Sequence, residues 1–223
     1  MKRMITAIAA ITMMCVCSVE LHAQESTQTS AAAKGATFGI RAGVNFFNIN
    51  GKDEDGEKLD NKLKPGFNAG VTVDIPFGRD FYFQPGLLFS TKGAKQDLGD
   101  ETGKLTLNYL ELPLNFVYKA PVGTGAVLLG AGPYAAYGIG GKYKVGDESA
   151  DVKFKKEPEN GGADDAIYFK PFDAGLNLLV GYEFTPNISL QLNAQLGLAN
   201  INAYDDDAKL RNTGYGVSVG LKL

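Results

Sequence analysis

Charged residues recur on the polar side of segments that otherwise alternate between apolar and small polar side chains. Because successive side chains of a strand point to opposite faces, residues of one parity share a face. Six charged residues fall on the polar face: Arg41, Asp74, Glu111, Lys119, Asp173 and Glu183. Charges held in a confined space must pair with one another or contact water. The six therefore predict either a salt-bridged polar plug or the lining of a narrow gated pore or small-ligand pocket.

Two glycine-containing motifs could indicate catalysis or nucleotide binding, and both are better explained as strand. Gly216-Val-Ser-Val-Gly220 matches the nucleophile elbow, but that motif needs a strand-to-helix turn and a histidine base. Ser218 instead lies in an alternating segment, so we interpret it as a small residue on the polar face. Gly130-Ala-Gly132 lacks the third glycine of a dinucleotide fingerprint, and no helix follows it. We predict no catalytic and no cofactor-binding residues.

Two acidic runs, Asp53–Glu57 and Asp205–Asp207, offer the oxygen ligands that Ca²⁺ prefers. Neither run has the spacing of an EF-hand loop. We interpret both as solvated loop charge, with calcium binding as the alternative, and predict no metal site and no cofactor.

The N-terminus has the pattern of a secretory signal peptide. Lys2 and Arg3 precede the apolar run Ile5–Val19, which is too short to span a membrane as a helix. Leu21-His22-Ala23 resembles a cleavage site. We predict a signal peptide over residues 1–23, a flexible leader over residues 24–35 and a barrel domain over residues 36–223, in a protein exported from the cytoplasm.

Removal of residues 1–23 would leave a chain without Cys, His, Met or Trp. Disulfides and metal sites with thiolate or imidazole ligands would then be excluded. The remaining 20 basic and 24 acidic residues give a net charge of −4, which argues against nucleic-acid binding. The missing His and Cys also argue against an enzyme.

The elements that would position the six charges are long alternating segments. Eight are predicted, at about Thr37–Asn48, Gly66–Phe77, Phe81–Lys92, Leu105–Lys119, Ala126–Tyr143, Tyr168–Glu183, Ile188–Ala199 and Asn212–Leu223. In the fourth, Leu105 and Leu107 have the opposite parity to Leu110, which predicts a β-bulge near Asn108–Tyr109. The connections alternate long and short, as in outer-membrane barrels with short inner turns and long outer loops. In the fifth segment, glycines on one face predict room for a neighbouring group or ligand.

The orientation of the apolar faces distinguishes a membrane barrel from a soluble exported barrel or sandwich. Strands of this length are typical of bilayer crossing, and the polar faces contain mostly Gly, Ser, Asn and Gln, as a cramped lumen requires. Aromatic residues cluster near the strand ends, as in interfacial girdles: Phe81, Tyr82, Phe83, Tyr118, Tyr168, Phe169, Tyr182, Phe184 and Tyr215. We predict an all-β fold, an eight-stranded antiparallel up-and-down transmembrane β-barrel, with the soluble fold as the alternative.

Three stretches resemble the PorT-like outer-membrane β-barrel family of Bacteroidetes-type bacteria, whose members are often labelled "porin family protein". They are Tyr109-Leu-Glu-Leu-Pro-Leu114, Phe83-Gln-Pro-Gly-Leu-Leu-Phe89 and Gly214-Tyr-Gly-Val-Ser-Val-Gly-Leu-Lys-Leu223. The resemblance covers about Ala36–Leu223. It implies an eight-stranded barrel in the outer membrane of a Gram-negative cell and supplies no catalytic residues. Leu223 departs from the aromatic ending common in barrels that the assembly machinery recognises.

These features predict a non-enzymatic outer-membrane protein with a structural role in the cell envelope or a surface-interaction role through its outer loops. The alternative is a narrow small-solute channel or a small-ligand-binding barrel. The stretch Gly141–Ile167, with five lysines among seven acidic residues, is the candidate surface for a ligand or protein partner. The other expected partners are outer-membrane lipid and the barrel assembly machinery. We expect no nucleic-acid partner, and we expect the protein to be a monomer.

Overall fold

The computed structural model describes residues 35–52, 57–99, 101–155, 166–184, 187–204 and 208–223. These residues form ten strands: β1 (Thr37–Lys52), β2 (Lys62–Pro76), β3 (Phe81–Asp97), β4 (Thr102–Val122), β5 (Gly125–Val145), β6 (Glu148–Phe154), β7 (Ile167–Phe169), β8 (Phe172–Glu183), β9 (Ile188–Gly197) and β10 (Lys209–Lys222). The described part of the chain contains no helix long and apolar enough to cross a membrane. The predicted signal peptide and nearly all of the predicted leader lie outside the described residues.

Eight of the strands close into a ring. In this ring β1 pairs antiparallel with β2, β2 with β3, β3 with β4, and β4 with β5. β5 then pairs with β8, β8 with β9, and β9 with β10, and the ring closes where β10 pairs with β1. Closure leaves no barrel strand with an unpaired edge, which is what backbone groups facing lipid require. The predicted all-β, eight-stranded antiparallel barrel is confirmed. We call the end with the short turns, where β1 begins and β10 ends, the inner end, and the opposite end the outer end.

The apolar faces of the barrel strands point outward. Leu192 is 57% exposed, and its register neighbour Val217 and the next partner Val44 lie on the same outer face. Small polar residues such as Asn115, Asn177 and Ser218 are buried inside. A soluble barrel would show the reverse arrangement, so the predicted reversal of faces holds.

The register between β4 and β5 breaks at Asn108/Tyr109, where the sequence predicts a bulge. The extra residue, however, lies in β5, because Asn108 pairs with Gly140 whereas Tyr109 pairs with Gly138. β4 therefore keeps one parity throughout, and the prediction that a bulge in this strand shifts the parity of Leu105 and Leu107 is wrong. Leu107 is fully buried in the interior.

An apolar cap fills the outer end of the interior, which explains why the inward face of β4 becomes apolar there. Its buried members come from β1, β3, β4, β5, β6, β7 and the segment before β10: Ile49, Ala94, Leu107, Tyr109, Tyr134, Ala136, Val152, Phe169 and Ile201. Leu105, Phe154, Ile167 and Leu210 pack against them. The interior is thus polar in its inner and middle parts and apolar at the outer end.

The stretch Gly141–Ile167 is not simply a loop, contrary to the prediction. β5 continues to Val145, and β6 folds back against it before pairing in parallel with the short β7. The sixth barrel strand, β8, begins at Phe172 and not at Tyr168. Tyr168 and Phe169 belong to β7, and both side chains are buried. These two residues are therefore not part of an aromatic girdle, and neither is Tyr82, which packs against the interior residues of β4, β5 and β8.

The space beside Gly130, Gly132 and Gly138 of β5 is filled by the protein itself, whereas a Cβ on Gly140 would have no atom within 4 Å. A Cβ placed on Gly138 would lie 2.3 Å from the ring of Phe154, and one on Gly132 would lie 2.0 Å from the backbone oxygen of Leu114. Gly132 and Gly138 therefore allow β4 and β6 to pack closely against β5, and these positions leave no open pocket of the kind that the sequence suggested.

Candidate functional site

The interior at the inner end holds a ring of four alternating charges. Lys119 lies 2.5 Å from Asp74 and 3.4 Å from Glu183, while Lys222 lies 2.5 Å from Glu183 and 3.5 Å from Asp74. Each ammonium thus has two carboxylates, and the ring connects β2, β4, β8 and β10. Gln84 donates a further hydrogen bond of 2.6 Å to Asp74. The four charges therefore neutralise one another across the barrel.

A second cluster lies in the middle of the interior around Lys92. Its Nζ is 2.9 Å from Glu111 Oε2 and 3.2 Å from Asp173 Oδ2, and all three side chains are essentially inaccessible to water. Neutral donors complete the cluster: Gln195 donates to Glu111 at 2.6 Å, and Asn212 donates to Asp173 at 3.0 Å. Buried ion pairs are tolerated only when such additional hydrogen bonds satisfy the remaining lone pairs.

Aromatic rings enclose Lys92 on its outer side. Its Nζ is 4.3 Å from the ring centroid of Tyr134, 5.1 Å from that of Phe47 and 5.4 Å from that of Tyr109. These distances are in the range of cation–π interactions, which strengthen when water is excluded. Tyr109 and Tyr134 also belong to the apolar cap, so the charge cluster and the cap form one continuous packed unit.

Arg41 lies between the two clusters and lines two small cavities. One cavity also contacts Glu111 and Asn193, and the other contacts Asp74 and Lys119. Each cavity has a free volume of about 20 Å³, which is enough for about one water molecule. Arg41 Nε and both amide atoms of Asn193 are buried without a hydrogen-bond partner in the described residues. Water in these cavities would satisfy them.

The structure places all six charged residues named from the sequence in the interior. Five belong to the two clusters, and Arg41 stands between them. Sequence reasoning omitted Lys92 and Lys222 from this set. Lys92 shares the parity of Gln84 and Ser90 but stands at the end of the predicted third strand, whereas β3 continues to Asp97, so this parity is the signal that could have found it. Lys222 shares the parity of Ser218 in the last predicted segment, and this parity is the signal that could have found it.

The other motifs add no chemistry to the interior. Ser218 lies within β10, and its hydroxyl donates a 3.4 Å hydrogen bond to Asn68. The described residues contain no group of three or more His, Cys, Asp or Glu side chains placed to hold a metal ion. Most of the run Asp53–Glu57 and all of Asp205–Asp207 lie outside the described residues.

Comparison with known families gives a match over residues 22–203 to the family described as outer membrane protein beta-barrel domain. The chain belongs to this family. It is an outer-membrane β-barrel protein, and the lipid of that membrane surrounds its apolar face. A comparison with curated proteins finds no match.

Several solved structures resemble this barrel at low sequence identity. Neisserial surface protein A (NspA) is 15% identical, with 85% of this chain and 100% of that chain covered and a TM-score of 0.44. Ail, the attachment invasion locus protein of Yersinia pestis, is also 15% identical, with the same coverage and a TM-score of 0.43. OprG of Pseudomonas aeruginosa is 11% identical, with 85% and 97% coverage and a TM-score of 0.45.

Proposed function

We propose that this outer-membrane barrel is a closed, non-enzymatic protein with an envelope-structural or surface-interaction role, exerted through its outer end. The filled interior is the observation that carries this proposal. Two salt-bridged clusters and an apolar cap occupy it, and each of the two cavities along Arg41 has room for about one water molecule. Arg41, Asp74, Glu111, Lys119, Asp173 and Glu183 then act as parts of a structural plug.

Planar-bilayer recording of the purified, folded protein tests the plug. We expect no stable conductance steps, with a general porin inserted into the same bilayers as the positive control. Reproducible single-channel steps from this protein would contradict the closed barrel.

A narrow channel is the second candidate, and the position of Arg41 favours it. Arg41 contacts both cavities, so movement of this one side chain could connect them. Under this alternative, Arg41→Ala would raise conductance or solute entry into liposomes above that of the wild type, whereas Ser218→Ala, a small change at another interior position, would not.

The surface role is assigned to residues 141–167, where β6 and β7 are fixed in the apolar cap by Val152 and Phe169. These anchors hold β6 and β7 at the outer end of the barrel. Replacement of residues 156–165 by a Gly/Ser linker of equal length keeps both anchors. Cells displaying this variant should bind less well than wild-type cells to a panel of immobilised surface glycans and proteins. Unchanged binding to every member of the panel would count against the role.

The same proposal includes the route and the relatives suggested by the sequence. Residues 1–23 would direct export and residues 24–35 would form the leader. The barrel assembly machinery would insert residues 36–223 as a monomer. The PorT-like family of Bacteroidetes-type bacteria remains the proposed closer relationship. N-terminal sequencing of the protein purified from outer membranes tests the cleavage after Ala23, and any other start contradicts it.

A further inference from the structure

Four lysines lie in one row across the outer ends of four adjacent strands. The strand registers pair Lys62 of β2 with Lys95 of β3, Lys95 with Lys104 of β4, and Lys104 with Lys144 of β5. Neighbouring strands are about 4.8 Å apart, so the row spans about 14 Å with an ammonium on every strand.

Like charges directly opposite one another on adjacent strands destabilise a sheet. Lys62 has a counter-ion in Asp97. The side-chain ammonium groups of Lys95, Lys104 and Lys144 make no ion pair or hydrogen bond within the described residues. Among the described residues, the repulsion along the row is therefore relieved at only one end, and an external anion would stabilise the other three positions.

The row faces sideways, in the same direction as the lipid-contacting residues. Ala94 and Leu105, the neighbours of Lys95 and Lys104 in sequence, point inward and contact the apolar cap, so these lysines point outward. Lys95 is six residues beyond Phe89, which is the last apolar residue on the outer face of β3. With a rise of about 3.3 Å per residue and a tilt of about 40°, the row lies about 15 Å above the apolar band.

We propose that this lysine row binds the anionic saccharide headgroup of a glycolipid in the outer leaflet. Phospholipid headgroups extend only about 5–8 Å beyond the hydrocarbon, which leaves their phosphates below the row, whereas an acidic sugar headgroup reaches it. The sideways direction favours a membrane component over a soluble ligand, because a soluble ligand would be better met at the outer opening. Phosphate or carboxylate groups spaced along such a headgroup would bridge adjacent ammonium groups.

The test compares two triple variants that change the net charge equally. Lys95→Gln/Lys104→Gln/Lys144→Gln neutralises three members of the row, and Lys58→Gln/Arg79→Gln/Lys155→Gln neutralises three exposed basic residues that share no row. Each purified, folded protein is titrated in detergent with deep-rough lipopolysaccharide, and bound lipid is counted by native mass spectrometry. The row variant should bind about 100-fold more weakly than the wild type, given about fivefold for each of the three lysines. The control should bind within threefold of the wild type.

Separate arms identify the source of the anion and check folding. Phosphatidylglycerol and soluble inositol hexakisphosphate are titrated in the same way, and we expect both to bind at least tenfold more weakly than lipopolysaccharide. Equal binding of either, or an equal loss in both triple variants, would overturn the proposal. Heat-modifiable migration verifies that each variant is folded. Should the row variant not fold, the wild type alone decides, because lipopolysaccharide binding must weaken as salt is raised and salt-independent binding refutes the row.

Discussion

Replacing Lys92 with Met should destabilise the barrel more than any neutral change at the same depth. The substitution keeps most of the side-chain length but removes the ammonium that lies 2.9 Å from Glu111 and 3.2 Å from Asp173. Removal of one partner from a buried pair typically costs about 3–5 kcal/mol, because a charge is left without compensation. Here two carboxylates are left. Each keeps a neutral donor, Gln195 or Asn212, so we expect a loss of about 3–5 kcal/mol in the free energy of unfolding and not twice that value.

The decisive comparison is with the triple variant Lys92→Met/Glu111→Gln/Asp173→Asn, in which no charge remains. If uncompensated charge causes the loss, the triple variant should be at least about 2 kcal/mol more stable than Lys92→Met alone. Urea unfolding in phosphatidylcholine vesicles measures both values. Circular dichroism and gel migration serve as readouts, since the sequence has no tryptophan. Equal stability of the single and triple variants would refute the reasoning and assign the effect of Lys92 to its packing against the aromatic rings.

Three further changes test the orientation of the strands and the cap. Leu192→Arg places a charge on the lipid face and should reduce folding stability in vesicles by about 2–4 kcal/mol, whereas Leu192→Ala should cost less; equal losses would argue against lipid contact. Leu107→Ala removes a fully buried side chain and should cost about 2–5 kcal/mol in urea unfolding, and Leu110→Ala on the outer face should cost less; the opposite ranking would restore the outward orientation of Leu107. Gly138→Ala drives a methyl into the Phe154 ring and should cost about 1–3 kcal/mol with faster proteolysis of β6; cleavage at the wild-type rate would contradict this contact.

The charged interior could be predicted from the sequence only as far as the alternation was followed. Arg41, Asp74 and Glu111 were found because each lies within a clearly alternating segment. Lys92 was missed because the third strand was ended there, whereas it continues to Asp97. Which carboxylate pairs with which lysine could not be predicted, because the partners are separated by dozens of residues and meet only when the ring closes.

The apolar cap shows how a correct local observation can lead to a wrong orientation. The shared parity of Leu105 and Leu107 is plain in the sequence, and a lipid-facing interpretation required a change of parity in β4. The register does break where expected, yet the additional residue belongs to β5. Alternation alone cannot distinguish an apolar face that contacts lipid from one that contacts a cap, since both exclude water.

The sequence by itself predicted the number of barrel strands and the two faces of each strand, because a two-residue period is a local pattern. Strand length and the small polar residues of one face favoured a membrane barrel over the soluble alternative. Only the tertiary structure decided that the interior is filled, that Lys92 is its central charge and that lysines far apart in the chain form one row. These features depend on register between strands. A shift of one residue in the pairing of a strand would move every side chain of that strand from the interior to the lipid face, or the reverse.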